Sequence, residues 1–141
     1  MCRELVVTLP ASGESIAQGR ARIEEFVERS YREPGGLLDD ALLVGSELLT
    51  NAMRTGSAEI GLQLDAHADE LRISVHDDRP GRPRTLPEPG PRDVAGRGLG
   101  IVARLGVDWG VVAQDDGKQV WARLYVPPTV AARFNCAHAR P

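Results

Sequence analysis

At 141 residues, with 42% hydrophobic and 26% charged residues, the chain has the composition of one soluble globular domain with enough apolar material for a core. Its 17 Lys+Arg against 20 Asp+Glu give a formal charge of -3 with no basic block, which argues against a surface built for nucleic-acid phosphates. No apolar run is long enough to span a bilayer, and the opening MCRELVVTLP is too short and mixed for a signal peptide, so a cytoplasmic protein without membrane contact is expected.

Along the chain, Leu5, Val6, Val7 and Leu9 predict a short strand ended by Pro10. Residues 12–33 read as a helix, with Ser12 as its cap and Ile16, Ile23, Phe26 and Val27 as an apolar stripe. Pro34-Gly35-Gly36 interrupts it. A second helix is expected over residues 37–55, where Leu38, Leu42, Gly45, Leu49, Ala52 and Met53 share a face and Gly56 terminates. Ile60, Leu62 and Leu64 alternate with polar residues, as do Leu71, Ile73 and Val75, which predicts an antiparallel hairpin. Residues 77–95 then carry Pro80, Pro83, Pro87, Pro89 and Pro91 and form a long loop, a feature that is usually functional in a small domain. GLGIVARLG reads as a short helix, and VDWGVVAQ and QVWARLYV as two strands around the turn DDGK. Residues 127–141 have weak patterning and are expected to be a loose tail. The sum is one domain over residues 1–126, a two-layer α/β sandwich with a mostly antiparallel sheet covered by helices on one face.

Two places stand out chemically. Glu47 and Asn51 rise one turn apart from the second helix, roughly opposite the Leu38–Leu42–Leu49 stripe. A solvated outer face would account for them, yet Leu43, Val44 and Leu48 lie beside the pair. A carboxylate and a carboxamide oxygen there can help hold Mg²⁺, which takes few protein ligands, and the carboxylate can deprotonate a hydroxyl. Gly96, Gly98 and Gly100 stand at a helix start, where exposed N–H groups favour phosphate; a flexible loop is the plainer explanation. Neither the dinucleotide fingerprint nor a P-loop is present. Cys2, Cys136, His67, His76 and His138 have no metal-ligand spacing, and two isolated cysteines suit a reducing compartment.

Taken together, E-x-x-x-N-A at 47–52, V-x-D at 75–77 and G-x-G-L-G at 96–100 resemble the GHKL ATPase superfamily, which includes gyrase, histidine kinases and mismatch-repair ATPases. SELLTNAMRTG, GRGLGIVARLGVDWG and GKQVWARL are most similar to the small bacterial serine kinases that act as anti-sigma factors, and to the stand-alone ATP-binding regulators of actinobacteria. The resemblance implies ATP and Mg²⁺ as ligands. It assigns Glu47 as general base, Asn51 as the metal-binding residue and Asp77 as acceptor for the adenine amino group. Gly81, Gly96, Arg97, Gly98, Leu99 and Gly100 complete the implied nucleotide-binding set, the last five forming a lid over the triphosphate. The second motif departs from D-x-G-x-G, reading DDRPG with Arg79 at the first glycine, and Gly117-Lys118-Gln119 stands where Gly-Thr is usual. The implied function is an ATP-dependent protein serine kinase in a partner-switching system, its partners an antagonist protein with a phosphorylatable serine and a sigma factor. A homodimer paired through the sheet edge and first helix is implied as well. The alternatives are a non-catalytic nucleotide-binding interaction module or the detached ATPase half of a histidine kinase.

Overall fold

The computed structural model describes residues 3–79 and 108–135. In chain order these form β1 (Arg3–Pro10), α1 (Glu14–Ser30), α2 (Gly36–Met53), β2 (Glu59–Ala66), β3 (Glu70–Asp77), β4 (Asp108–Gln114) and β5 (Gly117–Tyr125). The strands make one sheet in the order β1-β2-β3-β5-β4, every pair antiparallel. Both helices lie on one face, α1 over β1 and β2, α2 over β3 and β5. This is the expected two-layer α/β sandwich. The predicted hairpin is present with Leu62 opposite Val75 and Leu64 opposite Ile73.

Strand alternation sorts the side chains. Ile60, Leu62 and Leu64 of β2, Leu71, Ile73 and Val75 of β3, and Val120, Ala122 and Leu124 of β5 all point at the helices and are buried. Each such side chain contributes about 1.5–3 kcal/mol when removed from water. The opposite face is mixed: Gln63 donates to Glu4, Arg123 pairs with Asp108 and Glu70, and the Arg72 guanidinium stacks over Trp121 at 4.4 Å. One face therefore makes the core, and its polarity pattern sets the register.

The helices depart from the sequence expectation in their ends and bearing. Gly13, not Ser12, occupies the N-cap of α1, and no side chain caps it; instead the Ser12 N–H donates to Ser15 Oγ at 3.2 Å. The helix stops at Ser30 because Tyr31 turns extended, bridges to Ala132, and donates its hydroxyl to His67 O at 2.7 Å and Glu70 O at 3.3 Å. Burial pushes that phenol well above its ordinary titration range, and it stays a neutral donor. In α2 the buried residues are Leu37, Ala41, Val44, Gly45, Leu48, Leu49 and Ala52, whereas Leu38, Leu42 and Met53 are only half-buried. The reason is that α2 packs against the sheet and against α1 at once, so its apolar arc is wider than one stripe and centred elsewhere. At the helix–helix contact, Gly45 faces Ile23 and Gly19 faces Leu49.

Residues 127–135 run back to the end of α1. Arg133 donates its N–H to Ser30 O at 2.7 Å, and its Nε is 3.1 Å from both Glu28 O and Tyr31 O. The Phe134 ring meets Tyr31 edge-on at 6.0 Å. Nothing in the sequence pattern of this stretch announces that packing, because it uses backbone carbonyls left over at a helix end. Replacing Tyr31 by Phe removes the hydroxyl donor shared by a part-buried carbonyl, His67 O, and a buried one, Glu70 O. The expected loss is about 1–2 kcal/mol of unfolding free energy, read as a lower denaturant midpoint with an unchanged slope.

Candidate functional site

The last inward position of β3 is filled by Asp77, which lies opposite Ile60 of β2 and Lys118 of β5. A carboxylate in a slot that its strand otherwise gives to Leu71, Ile73 and Val75 is 1% exposed. A buried charge requires a partner. Lys118, itself 3% exposed, supplies one: its Nζ lies 2.9 Å from Asp77 Oδ1. The Arg79 N–H donates to the same oxygen at 2.9 Å, and Lys118 also donates to Arg79 O at 3.1 Å. The carboxylate is thus fixed at a strand end by one cation and one backbone donor.

Gly117 makes this arrangement reachable. Its φ is +147°, and a Cβ placed there would come within 2.0 Å of the Asp77 carbonyl oxygen. Only glycine lets the start of β5 approach the end of β3 so closely, and that approach delivers Lys118 to Asp77. The obstructing atoms are backbone, which cannot swing away as the side chain of Ile23 beside Gly45 can.

From the other side, a chain of hydrogen bonds ties the end of α2 to the same place. Thr55 Oγ1 donates to Ala52 O at 2.7 Å and lies 2.9 Å from Ser57 Oγ. Ser57 Oγ in turn accepts the Asp78 N–H at 3.1 Å, and Arg79 Nη2 donates to Gly56 O at 2.9 Å. Asn51 lies in the last turns of α2, immediately before this connection, and Glu47 lies one turn earlier. Both are half-buried. On the helical wheel they border the fully buried Val44 and Leu48 on the side away from Leu38 and Leu42. They stand at the edge of the buried arc, and so are neither core nor on the helix's wet back. Glu47 has no ion-pair partner among the described residues, while Asn51 is engaged in an interaction of its own.

Of the residues singled out in sequence, Glu47, Asn51 and Asp77 therefore belong to elements brought together by the α2–β2 connection. Gly81, Gly96, Arg97, Gly98, Leu99 and Gly100 lie outside the described residues, as do the proline-rich loop over residues 80–95 and the short helix after it. Sequence reasoning missed Lys118, Ser57 and the bridging part of Arg79. For Lys118 a signal existed: it falls in the inward set with Val120, Ala122 and Leu124, where a lysine is out of place unless something acidic faces it. Ser57 gave no such signal, because a serine after a helix end is ordinary.

The pattern of the Histidine kinase-like ATPase domain family matches residues 9–124. With most of the chain matched and the sandwich in place, this protein belongs to that family, whose members are ATP-binding domains. Among solved structures it is similar to the histidine kinase domain of the Erythrobacter litoralis EL346 blue-light activated histidine kinase, at 21% identity over 84% of this chain and 62% of that one, with a TM-score of 0.49. A second structure, titled as the same blue-light activated histidine kinase, is 21% identical over 84% of this chain and 42% of that one, with a TM-score of 0.48. The chain thus spans less than two thirds of either relative. No curated protein matches it.

Gly117→Ala and Gly45→Ala separate backbone from side-chain obstruction. The first should lose at least about 2 kcal/mol of stability in chemical denaturation, since it combines a disfavoured φ with a main-chain clash. Gly45→Ala should lose less, because Ile23 can change rotamer. Equal losses would show that β5 can shift away from Asp77 at little cost.

Proposed function

We propose that this chain is an ATP-binding regulator that phosphorylates a serine on a partner protein and, through a partner-switching exchange, sequesters a sigma factor. The observation that carries the reading is the buried Asp77 carboxylate, held at a strand end that is hydrogen-bonded back to the turn following Asn51. In this reading the carboxylate accepts from the adenine amino group. Asn51 faces the phosphates, and Gly81, Gly96, Arg97, Gly98, Leu99 and Gly100 line the triphosphate.

The residues fit a magnesium ion that arrives with its nucleotide. Among the described residues no group of three or more His, Cys, Asp or Glu side chains could hold a metal unaided. The metal donor at the end of α2 is the Asn51 carboxamide, the sparse protein contribution that Mg²⁺ accepts when phosphate oxygens and water fill its other positions. Bound there, Mg²⁺ would neutralise charge developing on the phosphates. Glu47, a half-buried carboxylate without a cation among the described residues, is suited to take the proton of the attacking serine hydroxyl. That hydroxyl oxygen bonds to the γ-phosphorus as the bond to the ADP oxygen breaks, and the proton passes to Glu47. Pairing of two copies along β1, the edge strand of the sheet among the described residues, where Val6 is exposed, belongs to the same reading.

A second reading is favoured by Arg79. It stands where the resembled motif has its first glycine, and its side chain is tied to Gly56 O. A rigid, substituted strand end suits a module in which nucleotide only shapes an interaction surface.

Calorimetric titration with ATP, ADP and GTP, with and without Mg²⁺, tests the shared part of both readings, and ATP should bind more tightly than GTP. Asp77→Asn should weaken ATP binding by about tenfold or more; it also leaves the Lys118 ammonium without its carboxylate, so a lower denaturant midpoint is expected, and the titration is done where circular dichroism shows the variant folded. Glu47→Ala separates the readings: it should retain Mg·ATP affinity and lose transfer of labelled phosphate to candidate serine-bearing partners. Transfer at the wild-type rate would remove Glu47 as the base.

A further inference from the structure

At the end of the sheet remote from Asp77, a cleft of about 520 Å³ opens between the turn into α2, the end of β5 and the segment that follows it. Lys118 and Tyr125 stand seven residues apart on β5, roughly 23 Å of extended strand, so this cleft is separate from the site described above. Leu37, Leu124 and Val130 give it apolar walls, the first two being core residues. Tyr125 lines it as well and is 68% exposed, a large ring left open to solvent. Two carboxylates, Glu33 and Asp40, complete the lining, and among the described residues no lysine or arginine does. Asp40 rises from α2 one turn after Leu37, so its carboxylate and an apolar wall share one rigid face. Neither Glu33 nor Asp40 has an ion-pair partner among the described residues.

We propose that this cleft docks a segment of a partner protein that presents an arginine beside an apolar residue. The inference stands apart from the nucleotide reading and survives its failure. Two carboxylates with no cation beside them give the cleft a negative potential, and a cationic group is the complementary charge. Arginine fits the lining better than lysine. Its planar guanidinium donates to carboxylate oxygens along its edge and lays its face on an aromatic ring such as Tyr125, whereas an ammonium is a strongly hydrated point charge. The apolar neighbour covers Leu37, Leu124 and Val130, which a lone cation leaves wet. A metal ion is a poorer match, because among the described residues no group of three or more His, Cys, Asp or Glu side chains could hold one. An apolar patch with an open aromatic and a charged rim is the layout of a protein interface, and arginine and tyrosine are the residues on which such interfaces concentrate their affinity.

The test titrates the isotope-labelled full chain, without nucleotide, with three probes: the capped peptide Leu-Arg-Val, the same peptide with citrulline in place of arginine, and spermidine. The arginine peptide should give saturable amide shifts centred on Gly36, Asp40, Tyr125 and Val130, and raised salt should weaken them. The citrulline peptide, which keeps the shape and loses the charge, should bind about tenfold or more weakly. Asp40→Asn should lose a similar factor, whereas Asp39→Asn, the same charge change one residue away and outside the cleft, should leave the affinity nearly unchanged. Equal losses in the two variants reduce the effect to net charge and overturn the proposal. So does equal binding of the citrulline peptide, or the absence of shifts around the cleft. Spermidine binding as tightly as the arginine peptide makes the cleft a site for small cations and overturns the protein partner. Peptide binding that appears only in an Arg140→Gln chain gives the cleft to that chain's own arginine, and overturns it likewise.

Discussion

A carboxylate withdrawn from water at the end of a central strand needs donors, and meeting that need at Asp77 organises this end of the molecule. Lys118 answers from the neighbouring strand, the Arg79 N–H from the residue just beyond, and Gly117 yields the space that lets the two strands meet. Each of these would be a weak feature alone. Combined, they hold an anionic group in one orientation in a place where an apolar residue would have continued the core.

The rest of the fold sets the surroundings of that carboxylate. The β1-β2-β3-β5-β4 order places the strands bearing Asp77 and Lys118 side by side within the sheet, with α2 laid over them. Helix α2 ends in a turn whose hydroxyls, Thr55 and Ser57, carry a hydrogen-bond relay to the backbone after Asp77. The end of β3 is thus hydrogen-bonded to the segment that follows Asn51. At the opposite end of the molecule, Tyr31 and Arg133 close the sandwich by bonding carbonyls at the end of α1 and around the β2–β3 turn.

Much of this was legible before any coordinates. Two-residue alternation identified β2 and β3 and their buried faces, because a strand has only two sides and one of them was apolar. The pair Glu47 and Asn51 was legible as a motif, and so was Asp77 at a strand end. The bearing of α2 was not: a helix squeezed between a sheet and another helix buries Leu37, Ala41, Val44 and Leu48, which a single-stripe reading passes over. The end of α1 was misjudged for a related reason, since Tyr31 leaves the helix to satisfy carbonyls far away in sequence.

By itself, the order of residues determined the class of fold, the presence of the hairpin, the family resemblance and the candidate acid, amide and carboxylate. Those follow from local periodicity and from short motifs, both of which are written along the chain. Tertiary structure alone decided that Lys118 belongs to Asp77, that Gly117 is the glycine the site depends on, and that Ser57 joins α2 to β3. These are contacts between residues 41 and 21 positions apart. A buried charge is satisfied by whichever group the sheet order brings beside it, and sheet order is settled by packing the whole core.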